Sequence, residues 1–202
     1  MRKNLKAVNT PKTASGFSLI EVLISVVVLS FGLLGMVGLQ AAALQGNRDA
    51  RLQSTAVSLA RELAETMRGN KDVALLATNP YVGDFNSNPL AAASPSYCLN
   101  SGSLPTACGS STAIANAQMT EWLARVSSEL PSPRVVVCVD PAPYGSDGRP
   151  RWSCATGGTG ATTVIKIGWT RAPTDRTKKG TAALERADTP TLVFPITAGN
   201  SL

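Results

Sequence analysis

The chain has 202 residues, 44% hydrophobic and 16% charged, enough for one packed domain plus an added anchor segment. It contains no histidine, which excludes Ser-His and Cys-His nucleophilic sites and histidine metal ligands. The formal net charge is +6, but Arg2, Lys3, Lys6 and Lys12 precede Gly16 with no acid among them, so 15 of the 19 Lys+Arg face 13 Asp+Glu in the remainder, a near balance that argues against a nucleic-acid surface.

Residues 1–16 form a short basic leader of the kind retained on the cytoplasmic side of a membrane. Apolar residues then run from Phe17 to Leu39, about 35 Å as a helix. That is long enough to span a hydrocarbon core of roughly 30 Å. A secretory signal fits poorly, because its apolar region is shorter and is followed, not preceded, by a small-residue cleavage site. Glu21 is the one charge in the run. A carboxylate inside a membrane helix is costly and marks function.

Gly32, Gly35 and Gly38 fall within the same run. Each weakens a helix interior by up to about 1 kcal/mol relative to alanine. Two readings stand side by side: a segment able to extend on leaving the bilayer, or close helix–helix contact through small residues.

The helix is expected to continue. Leu52, Ala56, Leu59, Ala60, Leu63 and Met67 recur at three- and four-residue spacing, one apolar stripe on a helix. Gly69-Asn70 supplies a stop. A single helix from Phe17 to Arg68 would measure roughly 78 Å. The expected division is an apolar half over 17–44 and an amphipathic half over 45–69 that packs on a globular domain covering 45–202.

Residues 70–111 are rich in Asn, Pro, Ser, Ala and Gly and read as a connecting loop. A helix is expected over about 113–130, with Ala115, Met119, Trp122, Leu123, Val126 and Leu130 on one face and Pro131 and Pro133 ending it. The period then changes to two. Strands are expected at Arg134–Asp140, Thr163–Thr170 and Thr191–Thr197, within an antiparallel sheet over 134–197. In the second strand Ile165, Ile167 and Trp169 share one face and Lys166 the other. Pro195 directs the third strand to a sheet edge. Asp147-Gly148 and Gly157-Gly158 mark turns.

Four cysteines, Cys98, Cys108, Cys138 and Cys154, all follow the apolar run, with no C-x-x-C pair among them. With the leader inside, they lie outside, where disulfides persist. Three pairings are possible. The local one, Cys98–Cys108 with Cys138–Cys154, is favoured because it closes short loops; four buried free thiols are the alternative. Asp140 and Asp147 share a loop but match no full calcium-loop pattern. The glycines from Gly157 to Gly160 lack a following Gly-Lys-Ser/Thr, so they are not a phosphate loop. Arg176, Lys178 and Lys179, near Arg171 and Arg186, read as a solvated loop, with docking of DNA or an anionic surface as the alternative. No enzyme activity, cofactor, metal or nucleic-acid partner is expected.

The junction Gly16-Phe17, the basic leader before it, Glu21 and the unbroken apolar helix resemble a type IV prepilin. FSLIEVLISVVVLSFGLLGMVGLQ, the amphipathic helix ending in Met67-Arg68-Gly69-Asn70, and the later Ala107-Cys108, Trp122 and Leu130-Pro131 are similar to PilV-type minor pilins. Close resemblance covers about residues 16–72, and type II secretion pseudopilins share much of it.

The resemblance implies an α+β pilin fold, with a long N-terminal helix packed on an antiparallel sheet. It implies cleavage between Gly16 and Phe17 by a prepilin peptidase, N-methylation of the new Phe17 amine, and polymerisation with other minor pilins and the major pilin through the N-terminal helix. The implied location is the inner membrane, with the globular domain in the periplasm, and then the pilus. The implied functions are pilus assembly and initiation at the tip, twitching motility and adhesion; a type II secretion pseudopilin and a tip adhesin or DNA-binding minor pilin are the alternatives.

Physical chemistry gives Glu21 a matching part. Cleavage leaves a cationic amine at Phe17, and in apolar surroundings carboxylate and ammonium each need a partner. Phe17 of an incoming subunit would satisfy Glu21 of a subunit already in the filament. An intramolecular pair, or a Glu21 hydrated near the headgroups, is the competing arrangement.

Overall fold

Helix α1, Leu19–Gly69, is 51 residues long in the computed structural model, which describes residues 16–99, 107–155, 162–171 and 188–197. Residues 1–15 of the leader, the glycine run from Gly157 to Gly160 and the basic run at Arg176, Lys178, Lys179 and Arg186 lie outside the described residues. The chain divides into two units at Arg48/Asp49. In the first, α1 is apolar on every side, and its large side chains from Leu19 to Leu44 are exposed. It is long and apolar enough to cross a membrane.

The second unit begins within α1. Ala56, Leu59, Ala60, Leu63, Ala64 and Met67 are buried, and Leu52 packs partly against them. The expected stripe is thus the buried face, with Ala64 added. After Gly69 a single turn, α2 (Lys71–Ala74), precedes a three-residue strand, β1 (Gly83–Phe85). Both fall where the sequence reads as loop, so that expectation is corrected. Strand β1 is too short to carry a period, but Phe85 fills the core and Asp84 pairs with Arg134 on the neighbouring strand.

Helix α3 runs Ser111–Glu129. Ser110 caps it, its hydroxyl accepting the Ala113 amide at 3.1 Å. Ala115, Met119, Trp122, Leu123, Val126 and Leu130 are all buried. The strands β2 (Arg134–Asp140), β3 (Thr162–Gly168) and β4 (Leu192–Ile196) then complete a four-stranded antiparallel sheet in the order β1-β2-β3-β4. Pro195 lies on β4, an edge strand, where a missing amide is tolerated.

Because side chains alternate along a strand, the sheet has two distinct faces. Phe85, Val135, Val137, Ile165 and Ile167 join the apolar faces of α1 and α3 in one core. The opposite face carries Asp84, Arg134, Val136, Cys138, Asp140, Val164 and Lys166. Lys166 is fully buried there, and Val136 and Val164 are nearly so. What covers this face is the loop over 141–155. Trp152 lies under the Arg134 guanidinium at 4.5 Å, and Cys154 is bonded to Cys138. A second disulfide joins Cys98 to Cys108. In the loop, Gly148 takes φ +74°, a conformation that favours glycine, and its amide closes a turn on the Gly145 carbonyl at 3.0 Å.

Candidate functional site: the N-terminal junction and the face that holds its helix

Gly16, Phe17 and Ser18 precede the helix without regular structure, and all three are exposed. The helix opens on Ser18, whose carbonyl accepts the Glu21 amide at 3.0 Å and the Val22 amide at 3.3 Å. Glu21 therefore sits in the first turn, where the helix dipole favours an anion. Phe17, Glu21, Val22, Ser25, Val26 and Leu29 line one shallow groove. The four-residue steps from Phe17 to Glu21, Ser25 and Leu29 explain the alignment. Ser25 turns its hydroxyl back onto the Glu21 carbonyl at 2.7 Å, which removes its donor from the apolar surface.

Phe17, just before the helix, and Glu21, in its first turn, thus stand together at the head of the apolar half of α1. Among the described residues the Glu21 carboxylate has no ion-pair partner. Gly32, Gly35 and Gly38 remain helical, and a Cβ added at any of them would meet nothing within 4 Å. No contact within the described chain requires these glycines.

In the second unit, α1 is fixed by directed bonds as well as apolar packing. The Trp122 indole Nε1 donates to the Leu59 carbonyl at 2.9 Å in the core. Glu62 of α1 pairs with Arg125 of α3, and Arg68 Nε donates to the Thr197 carbonyl at 3.1 Å beyond β4. At the helix end, Asn70 Nδ2 donates to the Tyr81 hydroxyl at 3.1 Å and to the Ser111 carbonyl at 3.0 Å, and the Tyr81 hydroxyl donates to Gln118 Oε1. Burial pushes the Tyr81 phenol above its ordinary range, against the opposing pull of the Asn70 bond.

Sequence periodicity placed Lys166 opposite Ile165 and Ile167 but gave no sign that it was buried or paired. Its Nζ donates to Asp140 Oδ2 at 2.6 Å, and both side chains are fully buried. Burial pushes the Asp140 carboxyl up, but the Lys166 hydrogen bond, the Ala142 and Ala155 amides and the Lys166 charge together hold it below the ordinary carboxylate range. Cys138, Asp140 and Cys154 converge closely enough to suggest a metal site, but both sulfurs are used in the disulfide and the carboxylate is taken by Lys166. Asp147 is turned to its own loop, its Oδ1 accepting the Arg149 amide at 3.0 Å.

Residues 11–37 match a family model described as the prokaryotic N-terminal methylation motif, and residues 38–121 match one described as Type IV pilin Tt1218. No curated protein and no solved structure matches the chain. The two family matches support a type IV prepilin, and the long helix with its four-stranded antiparallel sheet has the α+β architecture of the type IV pilin fold.

Proposed function

We propose that this chain is a minor pilin of a type IV pilus, most similar to the PilV-type subunits, that takes part in initiating assembly within a tip complex and so supports twitching motility and adhesion. The pilin and methylation-motif matches support the coarser reading, a pilin subunit built into a filament with other pilins after processing by prepilin peptidase. The observation that carries the proposal is the junction itself. Phe17 and Glu21 share one groove at the head of a helix whose large apolar side chains from Leu19 to Leu44 are exposed.

In this reading, residues 1–16 are removed, Gly16 and Phe17 flank the cut, and the Phe17 amine is methylated. Residues 17–44 hold the subunit in the inner membrane, with residues 45–202 in the periplasm, until it enters the filament. The amine of an incoming Phe17 then meets Glu21 of a neighbour. Pairing in an apolar spine favours correct axial register, since a buried charge left alone costs several kcal/mol, about 3–5 when a partner is removed. The role is structural rather than enzymatic and uses no cofactor or metal.

Deletion of the gene tests the reading. Loss of surface pili and twitching with normal protein secretion supports it. Lost exoprotein secretion with intact pili instead identifies a type II secretion pseudopilin. Binding of the purified chain to cells or DNA would identify an adhesive or DNA-binding tip subunit.

A further inference from the structure

The loop over 141–155 is tied to the sheet twice, once by sulfur and once by charge. Cys138 and Asp140 lie two residues apart on β2 and so on the same face. Lys166 stands on that face from β3, opposite Val136. Cys154 returns to it at the end of the loop and is bonded to Cys138.

The backbone on both sides of Cys154 is held by the ion pair. Lys166 Nζ donates to the Ser153 carbonyl at 2.8 Å, and the Ala155 amide donates to Asp140 Oδ1 at 3.1 Å. The same Oδ1 accepts the Ala142 amide at 2.9 Å. One carboxylate oxygen therefore gathers the beginning and the end of the loop.

A fully buried ion pair is a poor device for stability alone, because apolar residues of similar volume serve as well or better. What this pair supplies, and an apolar pair would not, is a set of directed bonds to the backbone that flanks one cysteine. We infer that Asp140 and Lys166 form a clamp that docks the 141–155 loop independently of the disulfide and positions Cys154 against Cys138, selecting this pairing from the three that four cysteines allow.

The clamp acts on an ordinary exchange with a small-molecule disulfide such as oxidised glutathione. One cysteine thiolate attacks a glutathione sulfur and releases the first glutathione thiolate. The second cysteine thiolate attacks the resulting mixed disulfide, forms the Cys138–Cys154 bond and releases the second. The two cysteine protons pass to the two glutathione thiolates; the cysteines are oxidised and glutathione is reduced. Asp140 and Lys166 exchange no electrons. They are positioning residues that shorten the search of Cys154 for Cys138.

Two measurements on the full chain in detergent micelles test this. In Cys138→Ser/Cys154→Ser, the Ala142 and Ala155 amides should still exchange at least about tenfold more slowly than in unstructured peptide. Exchange at the unstructured rate, with the β2–β3 amides still protected, overturns the clamp.

The second measurement does not depend on that variant folding. Reduced protein is re-oxidised in a glutathione buffer and its cysteine pairs are mapped by digestion. Replacing the pair with apolar side chains, Asp140→Leu/Lys166→Met, should slow formation of Cys138–Cys154 about fivefold or more and allow crossed pairs with Cys98 or Cys108, while the oxidised variant melts near the original temperature. Unchanged rate and pairing would refute the inference.

Discussion

The Trp122 indole donates a 2.9 Å hydrogen bond to the Leu59 carbonyl in the C-terminal part of α1, inside the core. This bond, with the packing of Ala56, Leu59, Ala60 and Leu63, joins α3 to the same helix that follows the Gly16-Phe17 junction. Trp122→Phe should keep most of the packing and lose the bond, at a cost of about 1 kcal/mol. In a domain of this size that lowers the melting temperature by roughly 2–4 °C. Trp122→Ala should cost about 3–5 kcal/mol through the cavity as well. Thermal unfolding followed by circular dichroism checks both, and equal melting temperatures for the two variants would contradict the packing described.

Glu21→Ala should be processed and inserted in the membrane like the parent chain but be depleted from sheared pili, as seen by immunoblot. Normal incorporation would remove the proposed assembly role of Glu21.

Gly16→Trp should instead leave the precursor uncleaved, because a bulky side chain replaces the small residue before Phe17. The leader is retained, and the chain runs larger on a denaturing gel. Unchanged processing would place the cut elsewhere.

Asp140 gives the folded chain an acid limit. Its carboxyl is held below its unfolded value, so the native state binds fewer protons than the unfolded state in the window between the two. The stabilisation is fully present above an unfolded value of about 3.9 and is lost as pH falls through the lower folded value. Asp140→Asn should remove this acid-dependent component. It should also destabilise the chain by about 3–5 kcal/mol at neutral pH, because it leaves the Lys166 ammonium buried without its counter-charge. Melting temperatures from pH 7 down to pH 3 test the slope as well as the offset.

Tyr81 sets the opposite limit. Its phenol is raised by burial, so its contribution is complete below the ordinary tyrosine value of about 10 and declines as pH rises through the higher folded value. Tyr81→Phe should remove the part of the alkaline absorbance change at 295 nm that titrates late. It should also cost about 1 kcal/mol, since Asn70 and Gln118 each lose a partner. A late-titrating component that survives in this variant would show that Tyr81 is not its source.

Periodicity made much of the fold legible in the sequence. Leu59, Leu63 and Met67 repeat at helical spacing, and so do Met119, Trp122 and Val126; their burial follows from that repeat. Ile165 and Ile167 alternate with Lys166, which separates two sheet faces before any partner is known. The junction at Gly16 to Glu21 was legible for a different reason, because a lone carboxylate in an apolar helix is conspicuous in the sequence itself.

The sequence by itself therefore determined the apolar helix, its charged head, the amphipathic stripe and the main strands, because local spacing encodes each of them. Only the tertiary structure decided what β1 pairs with, which of three cysteine pairings is made and where Lys166 goes. Asp140, Ser153 and Lys166 are distant along the chain, and no period links them. They meet because the 141–155 loop folds over the outer face of the sheet, and a lysine that alternation set opposite the core becomes fully buried between the Asp140 carboxylate of β2 and the Ser153 carbonyl of that loop.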